Sequence, residues 1–95
     1  MWNKELTPEG IVKRGIIQYL RYGGWKVKRI VQGALSEPGL PDLFAFKAGK
    51  VIFIEAKTKT GKLSIHQQKF QQECQEQNVT YLVCRDFEEL KVLGY

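Results

Sequence analysis

Between Gly39 and Lys57 the chain spells out two short strands and the turn that joins them. Asp42-Leu43-Phe44-Ala45-Phe46 and the run from Val51 to Lys57 are rich in aromatic or β-branched residues, and Ala48-Gly49-Lys50 supplies a tight turn between them. An apolar strand has no packing reason to finish in Glu55-Ala56-Lys57. Side chains alternate along a strand, so Glu55 and Lys57 share one face while Ile54 and Ala56 take the other. In a tight hairpin the start of the first strand lies beside the end of the second. Asp42, which heads the first strand after Gly39-Leu40-Pro41, therefore converges on Glu55 and Lys57.

Two converging carboxylates suit a hard cation such as Mg2+, which takes oxygen ligands. The backbone carbonyl of Ala56 offers a third oxygen. A lysine beside such a metal can orient a water and stabilise developing negative charge. The plainer alternative is an ion pair at a strand end and a turn aspartate. Glu-x-Lys is a common tripeptide, so Pro41-Asp42 at the head of the paired strand and the apolar run before Glu55 carry the catalytic reading.

Pro41-Asp42 followed by Glu55-Ala56-Lys57 resembles the PD-(D/E)xK nuclease superfamily, and the surroundings resemble its VRR-NUC branch in a stand-alone phage or bacterial form. The resemblance covers most of the chain: an early helix with Glu9, a strand leading to Gly39-Leu40-Pro41-Asp42, then Glu55-Ala56-Lys57, then Ser64-Ile65-His66-Gln67 opening a helix. It implies a restriction-endonuclease-like core and a Mg2+- or Mn2+-dependent endonuclease that hydrolyses phosphodiester bonds of DNA. Asp42 and Glu55 would hold the metal, Glu9 would reach a second metal or its waters, Lys57 would position the attacking water, and Gln67 would support the arrangement. The branch is linked to branched DNA and DNA repair, and a small member resembles Holliday-junction resolvases. Resolution needs two symmetric nicks, so a C2 homodimer is the expected form.

Thr7-Pro8-Glu9 starts a helix that ends near Tyr22 at Gly23-Gly24. Val12, Ile16 and Leu20 form its inward stripe, and Glu9 stands at the open end of that stripe. An acid in the first turn also complements the helix dipole. Lys13, Arg14 and Arg21 fall elsewhere on the helix, where they would touch phosphates or be solvated. Trp25 to Val31 alternates as a strand, with Lys26 and Lys28 on a basic side and Trp25 nearby. That pairing suits phosphate contact and base stacking, and equally an edge strand guarded by lysines. A glycine-bearing loop from Gln32 to Gly39 leads into the site. Lys59 and Lys62 lie in a basic loop after Lys57 that would face a nucleic-acid backbone. Ser64-x-x-Gln67 is a capping box, and Gln67 also begins the inward stripe Gln67, Phe70, Cys74 of a helix running to about Gln77. Thr80 to Cys84 is a fourth strand reached through that helix, hence parallel to the Glu55 strand. Asp86-x-x-Glu89 caps a last helix to about Leu93.

The order is α-β-β-β-α-β-α, an α/β chain with a four-stranded mixed sheet flanked by helices. Ninety-five residues make one domain, 1–95, with a thin stability margin that dimerisation would relieve. Trp2, Leu93 and Tyr95 are the apolar residues expected on such a dimer surface. A net charge of +5 favours a polyanionic partner. A single histidine, His66, and two cysteines ten apart give no zinc spacing. The absence of a long apolar run or signal-peptide core leads to the expectation of a cytoplasmic protein without membrane contact. Rival readings are a non-catalytic nucleic-acid-binding module and an assembly subunit that keeps the nuclease fold.

Overall fold

A computed structural model describes residues 7–31 and 37–95. Its elements run α1 (Pro8–Tyr22), β1 (Lys26–Arg29), β2 (Leu43–Lys47), β3 (Lys50–Ala56), α2 (Ile65–Glu76), β4 (Thr80–Cys84) and α3 (Phe87–Val92). The strands form one sheet in the order β1-β2-β3-β4. β1 and β2 pair antiparallel, as do β2 and β3, whereas β3 and β4 are parallel. The expected element order and mixed sheet are what the fold contains.

Local chemistry sets the ends of these elements. The Thr7 hydroxyl accepts from the Gly10 N–H at 3.0 Å and Pro8 opens α1. Both expected capping boxes form, at Ser64–Gln67 and at Asp86–Glu89. The β2–β3 hairpin is tighter than expected: Lys47 pairs with Lys50, and only Ala48 and Gly49 make the loop. Both have positive φ, 50° and 81°, the conformation whose twist matches paired strands. Gly39 also has a positive φ, 92°, and a Cβ there would run into the His66 carbonyl of α2. This bare backbone seats the approach to Asp42 directly on the first turn of α2.

Register parity sorts the sheet into two faces. Val27, Leu43, Ala45, Ile52, Ile54, Ala56 and Cys84 turn to one face, where Ile16, Ile17 and Leu20 of α1 and Leu90 of α3 complete the core. On the other face Phe70 of α2 meets Phe53 and Tyr81 edge-on, with ring centroids 5.5 and 5.8 Å away. Toward the outer strands that face is open: Phe46, 39% exposed, stacks with Phe44, opposite Lys26 and Lys28 of β1.

Three expectations are corrected by packing. β1 is shorter than the Trp25–Val31 run, since its pairing with β2 starts at Lys26 and ends at Arg29. Trp25 is only 7% exposed and packs edge-on against Tyr95 at 5.9 Å, so it cannot stack on a base. Tyr95 in turn is held in the fold: its backbone oxygen accepts from the Tyr19 hydroxyl at 2.6 Å, and its ring packs on the core. It is not a free dimer surface. Leu93 is 61% exposed, while Trp2 and Gln32 to Ser36 lie outside the described residues.

Candidate metal centre

The C-terminal end of β3 is where the polar chemistry gathers. Glu9 of α1, Asp42 just before β2 and Glu55 of β3 each place a carboxylate oxygen within 4.8 Å of the others. Asp42 is oriented by the hairpin itself: its Oδ2 accepts from the Ala56 N–H at 2.9 Å. Its Oδ1 lies 3.3 Å from Lys13 Nζ. Glu55 Oε2 lies 3.6 Å from Lys57 Nζ. Lys57 continues the sheet beyond β3, its N–H donating to the Cys84 carbonyl at 3.0 Å. Two ammonium groups thus flank three carboxylates.

Glu55 is the unusual member. It is 2% exposed, and its Oε1 has no hydrogen-bond partner among the described residues. Burial pushes its carboxyl from 4.5 up to about 8. The neighbouring Asp42 charge and a hydrogen bond with it add to the rise, Glu9 adds a little, and Lys57 opposes it. A buried carboxyl crowded by two acids is a poor structural element and a good cation ligand. The donor set is all hard oxygen, which fits Mg2+ or Mn2+. The thiols do not compete: burial raises Cys74, and raises Cys84 to about 11.

Of the residues expected at the site, Asp42, Glu55, Lys57 and Glu9 come together. The Ala56 N–H reaches the site through Asp42. Gln67 Oε1 is engaged in its capping box, accepting from the Ser64 N–H at 2.8 Å. Lys13 belongs here and not on a separate face. It stands one helical turn after Glu9, and that i, i+4 spacing was the signal that places it. Arg14, Lys26, Lys28, Lys59 and Lys62 are exposed.

Tyr81 is a neighbour that sequence reasoning missed. Its hydroxyl is buried without a hydrogen-bond partner among the described residues. Burial first, then the nearby Glu55 charge, drives its pKa upward. An unsatisfied buried hydroxyl costs about 1–3 kcal/mol. Tyr81→Phe is therefore expected to leave stability unchanged or raise it by up to about that amount, read from the denaturant midpoint. A clear loss of stability would mean that the hydroxyl has a partner in solution.

The VRR-NUC domain model matches residues 27–87, about two thirds of the chain. The chain belongs to the VRR-NUC domain family. A solved VRR-NUC domain structure superimposes with a TM-score of 0.78 at 24% identity, covering 92% of this chain and 94% of that one. This likeness places the whole α-β-β-β-α-β-α arrangement in the VRR-NUC fold. Among curated proteins no sequence matches. The VRR-NUC family is nuclease-related, and nucleases of this kind are generally metal-dependent, with DNA as the substrate class that the family suggests. No described helix is long and apolar enough to cross a membrane.

Proposed function

We propose that this VRR-NUC domain is a Mg2+- or Mn2+-dependent DNA endonuclease, working as a homodimer on branched DNA such as a Holliday junction. The observation that carries the reading is the meeting of Glu9, Asp42 and Glu55 beside Lys57, with one Glu55 oxygen left without a hydrogen-bond partner among the described residues. Asp42, Glu55 and Glu9 would hold the cation. When bound, such an ion polarises a phosphoryl oxygen and makes a water nucleophilic near neutral pH. The chain's own residues supply the rest. Asp42 is held in place by the Ala56 amide. Lys57 presents an ammonium beside Glu55, where it can donate to a water and offset charge on the phosphate. Lys13 offsets repulsion at Asp42 before any cation arrives. The exposed lysines 26, 28, 59 and 62, with Arg14, would contact backbone phosphates. The cytoplasm remains the expected compartment.

The test is cleavage of linear and four-way DNA with Mg2+, Mn2+ or EDTA, paired with light scattering of the free protein and its junction complex. Cleavage with either cation and none with EDTA is expected, with symmetric nicks on the junction by a dimer. A folded protein that cuts neither substrate with either cation would leave the binding module and the assembly subunit. A monomer both free and bound would remove the resolvase version but not the nuclease.

A further inference from the structure

Lys57 owes its place to more than its own strand. The backbone turns back immediately after it, and the Gly61 N–H donates to the Thr58 carbonyl at 3.2 Å. Gly61 lies against the stem of Lys57: a Cβ there would sit 3.5 Å from Lys57 Cδ and 3.2 Å from Thr58 Oγ1. The turn is closed from outside by one side chain. Arg85 Nη1 donates to the Thr58 carbonyl at 2.5 Å and to the Gly61 carbonyl at 2.6 Å, with the Lys59 carbonyl at 3.4 Å. Arg85 directly follows Cys84, whose carbonyl accepts the Lys57 N–H at 3.0 Å. Its own N–H donates to Glu89 Oε1, part of the cap of α3. The connection therefore runs from α3 through Arg85 and the 58–61 turn to the Lys57 stem.

A lysine side chain has four rotatable bonds, and its ammonium is fixed only if the stem is. Carbonyl-rich turns are ordinarily solvated and mobile, so three carbonyls gathered on one guanidinium are a specific restraint. We propose that Arg85 is a positioning residue, which braces the 58–61 turn over the Lys57 stem and so holds the Lys57 ammonium against Glu55. The inference rests on the reading of Lys57 as part of the cleavage site.

The decisive measurement follows Lys57 itself. Side-chain 13Cε relaxation should show Lys57 more ordered than the exposed Lys59 and Lys62 in the wild type. In Arg85→Ala it should become as mobile as they are, with intermediate order in Arg85→Lys. Amide exchange at Gly61 should speed up, while the Lys57 amide, bonded to Cys84, stays protected and reports an intact sheet. Saturated single-turnover cleavage should fall about 10- to 100-fold, as a misplacement of about 1 Å does. DNA and Mg2+ affinities should change less than about threefold, a rate-only pattern that merely lost binding would not give. If Arg85→Ala unfolds, Arg85→Met tests the same brace, because it keeps an apolar stem and removes the donor to the Thr58, Lys59 and Gly61 carbonyls; an ordered Lys57 in that variant refutes the brace. Lys57 that stays ordered in Arg85→Ala overturns the proposal, as does a mobile Lys57 with undiminished cleavage. A wild type that cuts nothing would end the nuclease reading, whereas the brace is still decided by the relaxation data.

Discussion

Lys57→Ala is expected to bind DNA and metal like the wild type and to cleave about 10²–10³ times more slowly, the usual loss for one oriented electrostatic group. The side chain approaches Glu55 Oε2 at 3.6 Å and its stem is covered by the 58–61 turn. It is built into the site and not spread over the surface. A lysine that only met a phosphate would behave otherwise. Its loss would weaken binding, lower the salt dependence by about one counterion and spare the saturated rate. Single-turnover cleavage at saturating enzyme, with binding titrations at several salt concentrations, separates the two. Near-normal saturated cleavage would return Lys57 to the ordinary basic surface.

The second large effect joins metal to pH. The folded protein holds the Glu55 proton up to about 8, whereas the carboxyl ordinarily loses it near 4.5. Between those values the folded state binds more protons than the unfolded one, so stability without metal falls as pH rises. Glu55's contribution is complete below 4.5 and lost as pH passes about 8. A divalent cation reverses the trend, because it takes the ionised carboxylate and competes with the proton. Mg2+ should therefore raise the melting temperature more at pH 8 than at pH 6. At a hundredfold excess over Kd the gain is about 2.7 kcal/mol, roughly 10 °C or more in a domain of this size. Asp42→Asn should remove most of the Mg2+ shift, and Glu55→Gln should also flatten the metal-free pH dependence. An equal Mg2+ shift in Asp42→Asn would place the cation elsewhere.

What could be read from the sequence was what neighbours in sequence decide. The hairpin, the Thr7-Pro8 helix start and both capping boxes depend on residues a few positions apart, and each formed. The Asp42–Glu55 meeting followed from hairpin geometry alone. Trp25 was misjudged because its burial is decided by Tyr95, seventy positions away. Nothing local announces that Tyr95 folds back on the residue ahead of β1. Tyr81 and Arg85 were overlooked for the same reason. Their neighbours are set by the parallel register of β4 against β3 and by a turn that approaches from the far side. Lys13 was the exception, a contact with a local signal in its spacing from Glu9. Strand limits moved by a residue or more because pairing, and not side-chain type, ends a strand.

The two-residue loop at Ala48 and Gly49 has a consequence for how the carboxylate cluster comes together. Asp42 and Glu55 belong to one antiparallel pair closed by the shortest practical loop, so little chain entropy opposes their meeting. Glu9 joins only when α1 docks through Ile16, Ile17 and Leu20, and Arg85 only when β4 completes the slower parallel pairing. The cluster is thus layered by sequence separation: an acidic kernel made by local pairing, then Glu9, Lys13 and Arg85, which need contacts across the domain. Partial opening of α1 would reverse the order, releasing Glu9 and Lys13 while the kernel persists. On the nuclease reading proposed above, the fold's least local contacts are therefore the ones that complete the site.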